Sequence, residues 1–182
     1  MQGLLKKIFL FLLVLTTAMS LPAQQPADTL HKSIIHVDQQ WGYSCTAPAW
    51  FRILDTPEDM FGGALPPVDT TTNTIIIKGF PKNQFKDISS FENWVVKDYS
   101  VGQESKWDPG HIILLKNLIA GYTGPGIAYR VQILYEGVIY NCAYALIETS
   151  KAFLWVDFTA TNTTYNKQYP LFLELVQSIK QL

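Results

Sequence analysis

The stretch from Phe158 to Lys180, "FTATNTTYNKQYPLFLELVQSIK", runs from a strand into a one-sided apolar helix, and its reading decides the fold. The strand is "AFLWVDFTAT", in which Phe153, Trp155, Asp157 and Thr159 alternate with Leu154, Val156, Phe158 and Ala160. Both of its faces are largely apolar, so it needs cover on each side, which a sheet flanked by helices supplies. Thr159 to Thr164 carry side chains that compete for backbone hydrogen bonds and end the strand. Tyr165 to Tyr169 read as a turn, and Pro170 fits the first helical position, where its missing N–H costs nothing. Phe172, Leu175, Val176, Ile179 and Leu182 then recur at helical spacing, which predicts a C-terminal helix packed back onto the sheet.

Upstream, "AYRVQILYE", "IYNCAYALIET" and the strand above follow one another with joints at Gly137–Val138 and Ser150–Lys151, short enough only for antiparallel hairpins. "IILLKNLIAG" and "TIIIKGF" supply further strands, and "WGYSCTAPAWFRIL" gives one with Tyr43, Cys45 and Ala47 on one face, then a shorter one. Ser89 and Glu92 have capping-box spacing and announce a mid-chain helix with Phe91, Trp94, Val95 and Tyr99 inward; Val96 breaks the pattern. "DTPEDMFGGALPPVDTTTNT" and "VGQESKWDPGH" read as long loops. The fold class is α+β: an α/β/α sandwich with a central, mainly antiparallel sheet, one mid-chain helix and a C-terminal helix.

The N-terminus carries an address. Lys6 and Lys7, the apolar run Ile8–Leu15 and the small residues up to Ala23 have the order of a secretory signal peptide, and the run is too short to span a bilayer. Residues 1–23 are read as that signal, 24–39 as a polar leader and 40–182 as a single domain, exported to the periplasm or the extracellular space without a stable membrane span. A net charge of −1 with scattered charges has no footprint for nucleic acid. Cys45 and Cys142 sit at apolar-flanked strand positions; sequence leaves open whether they pair or stay buried thiols.

"WGYSCTAPAWFRI" near the start of the domain and the terminal stretch quoted above resemble the PsbP-like proteins, with the order of elements between them also in agreement over roughly residues 40–181. Cys45 departs from that pattern, which usually has a bulky apolar residue there. The resemblance implies an α/β/α sandwich and roles in assembly or partner binding, since members include an extrinsic photosystem subunit, a Ran-binding nuclear factor and bacterial secretion chaperones. It implies no catalytic set.

The residues themselves carry little reactive chemistry. His31, His36 and His111 beside Asp108 match no zinc spacing and read as solvated loop histidines; no metal or cofactor is expected. No Ser lies in a nucleophile elbow, and "GYTGPG" is no phosphate loop. Glu136, Glu148 and Asp157 lie on the C-terminal strands, and Asp157 is expected to pair with Arg130 or to accept from a Thr. The candidate binding residues are Met60, Phe61, Trp107, His111 and Tyr122, bulky groups on apparent connections that form one recognition patch if they converge. The reading is an exported, non-catalytic binding or assembly domain of the cell envelope whose partner is an unknown protein or small ligand. The alternative is an envelope hydrolase using Asp157 with Glu136 or Glu148, or His111 with Asp108.

Overall fold

The computed structural model describes residues 32–105 and 109–182. The signal segment, His31, Trp107 and Asp108 lie outside the described residues. The strands are β1 (Ile34–Asp38), β2 (Tyr43–Ala47), β3 (Arg52–Ile53), β4 (Met60–Ala64), β5 (Thr74–Pro81), β6 (Ile112–Leu118), β7 (Ile127–Tyr135), β8 (Val138–Glu148), β9 (Ala152–Thr161) and β10 (Lys180–Gln181). The helices are α1 (Ile88–Glu92), continued by a π-helical turn over Asn93–Lys97, and α2 (Asn162–Gln177). β3-β4-β5-β9-β8-β7-β6 form one antiparallel sheet, and β1-β2-β10 a smaller one.

β9 is the spine of the large sheet. Leu154, Val156 and Phe158 face α2 and β2, where they meet Phe172, Leu175, Val176, Tyr43 and Cys45. Phe153 and Trp155 face the other way, toward α1, where Phe91, Val95, Val96 and Tyr99 cover them. The α/β/α sandwich with one mid-chain and one C-terminal helix is therefore the observed architecture. Phe172, Leu175 and Val176 are fully buried, and each contributes about 1.5–3 kcal/mol of burial before entropy is counted. Cys45 and Cys142 are free thiols in the packing on opposite faces of the sheet, which answers the open pairing question.

Several local expectations are corrected. α2 begins at Asn162, so "NTTYNKQY" is its first two turns and Pro170 lies inside the helix. Pro170 sits on the solvent side, where water can satisfy the carbonyl one turn back that the missing N–H leaves unbonded. The cap of α1 is Asp87 with Ser90, not Ser89 with Glu92: Ser90 N donates to Asp87 Oδ1 (2.8 Å) and Asp87 N to Ser90 Oγ (3.0 Å). Glu92 instead accepts from Tyr129 Oη and from Lys97 Nζ (3.0 Å). The awkward Val96 is explained by the π turn, in which Asp98 N donates to Asn93 O (3.3 Å). The wider turn brings both Val95 and Val96 into the core.

The stretch around Met60 is a strand rather than a loop. Its Gly62–Gly63 pair is required by packing: a Cβ on Gly62 would stand 2.3 Å from Ile76 Cδ1, and one on Gly63 2.6 Å from the Phe51 ring. The polar leader likewise ends in β1, which pairs with β2 along its whole length. The β7–β8 turn is Glu136–Gly137, both at positive φ (49° and 80°), as a two-residue hairpin requires. After α2, Ser178 latches the chain to β2: Thr46 N donates to Ser178 Oγ (2.9 Å), and β10 then pairs beside Ser44 and Tyr43.

Close approach of backbone to a ring marks one further position. A Cβ on Gly79 would lie 2.3 Å from the Trp41 indole, which closes over β5. Gly79→Ala is expected to lower the unfolding free energy by about 1–3 kcal/mol, read from denaturant midpoints. An unchanged midpoint would show that the indole has room to step aside.

Candidate functional site

The side of the sheet that faces α1 changes character along β9. At one end Phe80, Phe85, Phe91, Trp94 and Phe153 form a continuous aromatic cluster under the helix. Next comes Trp155, edge-on to Tyr144 with ring centroids 5.1 Å apart. Beyond it the same face turns polar. Asp157 lies between Ile76 and Tyr144, Thr159 between Thr74 and Cys142, and Thr161 beside Tyr140. Asp157, Thr159, Thr161, Thr74 and Tyr140 are all partly exposed, whereas Tyr144, Cys142, Trp155 and Tyr99 beneath and beside them are buried.

The Thr159 hydroxyl lies 3.0 Å from Asp157 Oδ1 and 3.3 Å from Cys142 Sγ. It has one proton, which goes to the better acceptor, the carboxylate, while its oxygen can take the thiol proton. Burial pushes the Cys142 thiol up to about 12, so it stays protonated and inert as a nucleophile. Burial also raises the Tyr99 and Tyr144 phenols well above their ordinary range. Desolvation pushes the Asp157 carboxyl from 3.8 up to about 7, against the opposing pull of the Thr159 bond. The site therefore holds a carboxyl that changes charge near neutrality, set among rings and hydroxyls that do not.

The expected Asp157–Arg130 pair does not form, because Arg130 is on the opposite face. There its guanidinium donates to Asn141 Oδ1 (2.9 Å) and lies over the Tyr165 ring; the Thr alternative is the one realised. Glu148 is paired with Lys82 and stands four residues along β8 from Tyr144, about 13 Å away along the strand. Glu136 is in the turn at the far end of β8. Neither carboxylate joins Asp157, and among the described residues no group of three or more metal-ligating side chains comes together.

The other candidates are scattered. Phe61 is in the α2-side core, stacked on His36 at 3.8 Å, so His36 is not a solvated loop residue. Met60, on the same strand, points to the other face beside Lys78. His111 is buried and stacked on Tyr135 at 4.0 Å, again not solvated. Tyr122 packs toward α2 and its hydroxyl donates to Pro125 O (3.0 Å). β4 and β6 lie on opposite margins of the sheet, five strand steps apart, or about 24 Å. Met60 and Phe61 on β4 are thus far from His111, which immediately precedes β6.

The raised carboxyl has a signed consequence. A folded value above the unfolded one means that the native state holds the proton more tightly, so Asp157 stabilises the fold at low pH. That contribution is lost as pH rises from about 4 to about 7. Asp157→Asn removes the titration while keeping the shape. Its stability relative to wild type is expected to rise between pH 4 and pH 8 by on the order of 1–4 kcal/mol, measured by urea unfolding. A difference independent of pH would contradict the assignment.

The sequence matches no protein-family model and no curated protein. Solved structures of similar shape include one from Bacteroides thetaiotaomicron at 16% identity and TM-score 0.51, covering 85% of this chain and 49% of that one. The chain thus spans about half the length of that structure. The Ran-binding protein Mog1p of Saccharomyces cerevisiae is 11% identical with TM-score 0.44, covering 82% and 95% of the two chains. PsbP from Synechocystis is 10% identical with TM-score 0.41, covering 88% and 98%. These likenesses concern fold alone.

Proposed function

We propose that the protein is an exported, non-catalytic binding or assembly domain of the cell envelope, and that it binds through the open end of the sheet face around Asp157. Export rests on Lys6, Lys7, the apolar run Ile8–Leu15 and the small residues before Ala23. The observation that carries the binding surface is Asp157 itself: a desolvated carboxyl, partly exposed, where the aromatic cover of the sheet gives way to hydroxyls. Met60, Phe61, Trp107, His111 and Tyr122 are a secondary proposal, since the four that are described do not gather into one patch. No helix among the described residues is long and apolar enough to cross a membrane.

A hydrolytic role draws its support from the same carboxyl, because a group that titrates near 7 suits general acid–base work. The two readings separate in one experiment. Wild type and Asp157→Asn are screened by thermal unfolding against fractionated small molecules and peptides of the cell envelope, and bound compounds are recovered for mass spectrometry. The expected result is a ligand that raises the wild-type midpoint by about 5 °C at saturation, leaves Asp157→Asn unmoved and is recovered intact. Recovery of a hydrolysed product, formed by wild type only, would replace binding with catalysis. Equal shifts in both proteins would remove Asp157 from the site.

A further inference from the structure

Among the described residues β1 is the outer strand of the small sheet, with β2 on one side of it. The β1–β2 register shows which of its backbone groups face outward. Thr46 N donates to Ser178 Oγ (2.9 Å), so the Thr46 N–H points away from β1. Ile35 is opposite Thr46, and directly opposed residues of an antiparallel pair turn their N–H and C=O groups toward one another or away together. Ile35 therefore presents both groups on the outer edge, and Ser33 and Val37, two positions to either side, do the same. Asp38 has the opposite parity and agrees: its carbonyl accepts from Gly42 N across the β1–β2 hairpin (2.9 Å).

The side chains of that strand are apolar and stand in water: Ile34 is 55%, Ile35 71% and Val37 49% exposed. Neither Pro, bulge nor charged side chain interrupts Ile34–Val37, so the devices that keep a strand edge from pairing are missing there. The other edge of the small sheet is β10, only Lys180 and Gln181, which is short and charged in the protected manner. Pairing through this sheet is thus open on one edge and blocked on the other, which favours a closed pair over a fibre.

The sequence of β1 complements itself. Two copies laid antiparallel about a two-fold axis at Ile35 set Ile35 against Ile35, Ser33 against Val37, Ile34 against His36 and Lys32 against Asp38. The residues with outward N–H and C=O groups then face one another. Lys32 is exposed, and Asp38 uses Oδ1 to accept from Trp41 N (2.9 Å), leaving Oδ2 for an ammonium group. An axis one residue further along, at His36, would set Asp38 against Ile34 and lose that ion pair. We infer that the protein forms a two-fold dimer by antiparallel β1–β1 pairing, which joins two small sheets into one, with Lys32–Asp38 ion pairs at both ends of the seam. The seam lies in the layer on the α2 side of the large sheet, so it stands or falls independently of the Asp157 surface.

A single strand edge is a small contact, so the dimer is expected to dissociate on the order of 10–100 micromolar. Sedimentation equilibrium of the exported chain is expected to show monomer passing to dimer as concentration rises through that range. Ile35→Lys, which opposes two ammonium groups on the axis, should weaken the dimer about tenfold, and Lys32→Glu severalfold, while Lys32→Arg keeps it. These positions are exposed, and near-ultraviolet circular dichroism checks that the variants are folded. Register is read by cross-linking under mild oxidation, with the native Cys45 and Cys142 thiols buried. Ile35→Cys should form a dimer disulfide, its Cα atoms being about 5.5 Å apart, and Val37→Cys, about 13 Å from its counterpart, should not. A monomer throughout up to about 1 millimolar, a dimer indifferent to Ile35→Lys, or equal cross-linking at both positions would overturn the inference. So would slow hydrogen exchange of the Ile35 and Val37 amides in the dilute monomer, which would show that the same chain already occupies the edge.

Discussion

A strand that is apolar on both faces has to be covered twice, and β9 imposes that demand on the whole chain. Its edges are hydrogen-bonded to β5 and β8, so only its two faces remain to be satisfied. Leu154, Val156 and Phe158 are met by α2 and by β2 of the small sheet; Phe153 and Trp155 are met by α1 and its π turn. The β10 return and the Ser178 latch hold the first of these covers to β2. The arrangement buries one continuous layer of side chains on each side of a single sheet, which is what makes a three-layer sandwich out of elements that could not stand alone.

The same demand locates the site. Residues 88–97 span ten positions in helical geometry, about 15 Å, whereas β9 spans ten in extended geometry, about 33 Å. A cover of that length cannot reach along the whole strand. Where it stops, the face continues as Asp157, Thr159 and Thr161, with Thr74 alongside on β5. The carboxyl is near enough to Trp155, Tyr144 and Tyr99 to be desolvated, yet lies where solvent can reach it. Its altered acidity follows from that burial, which outweighs the opposing bond from Thr159.

Much of the fold was legible because the apolar periods are strong. The hairpins from Ile127 to Thr161, the helix stripe through Phe172 and Val176, and the face of Tyr43, Cys45 and Ala47 all hold. What was misread depended on contacts remote in sequence. Gly62–Gly63 looked like loop punctuation, but the glycines are there because Ile76 and Phe51 leave no room for a Cβ. Pro170 looked like a helix start; it is tolerated inside because the exposed side of α2 can hydrate the freed carbonyl. Val96 looked like noise until the π turn supplied a different period. The site was half visible: alternation in β9 set Asp157 and Thr159 on one face with Trp155. The contributions of Tyr144, Cys142, Thr74 and Tyr99 come from register with β8 and β5 and from the packing of the π turn, which no local pattern states.

The central claim is that, among the described residues, the helical cover over β9 ends near Asp157 and leaves a carboxyl held largely out of water. Carbon-13 NMR of the side-chain carboxyl, followed through a pH titration of the folded protein, measures this directly. A midpoint near 7 is the expected result. A midpoint near 4, the value of a solvated aspartate, would contradict it and would return that end of the sheet to ordinary surface.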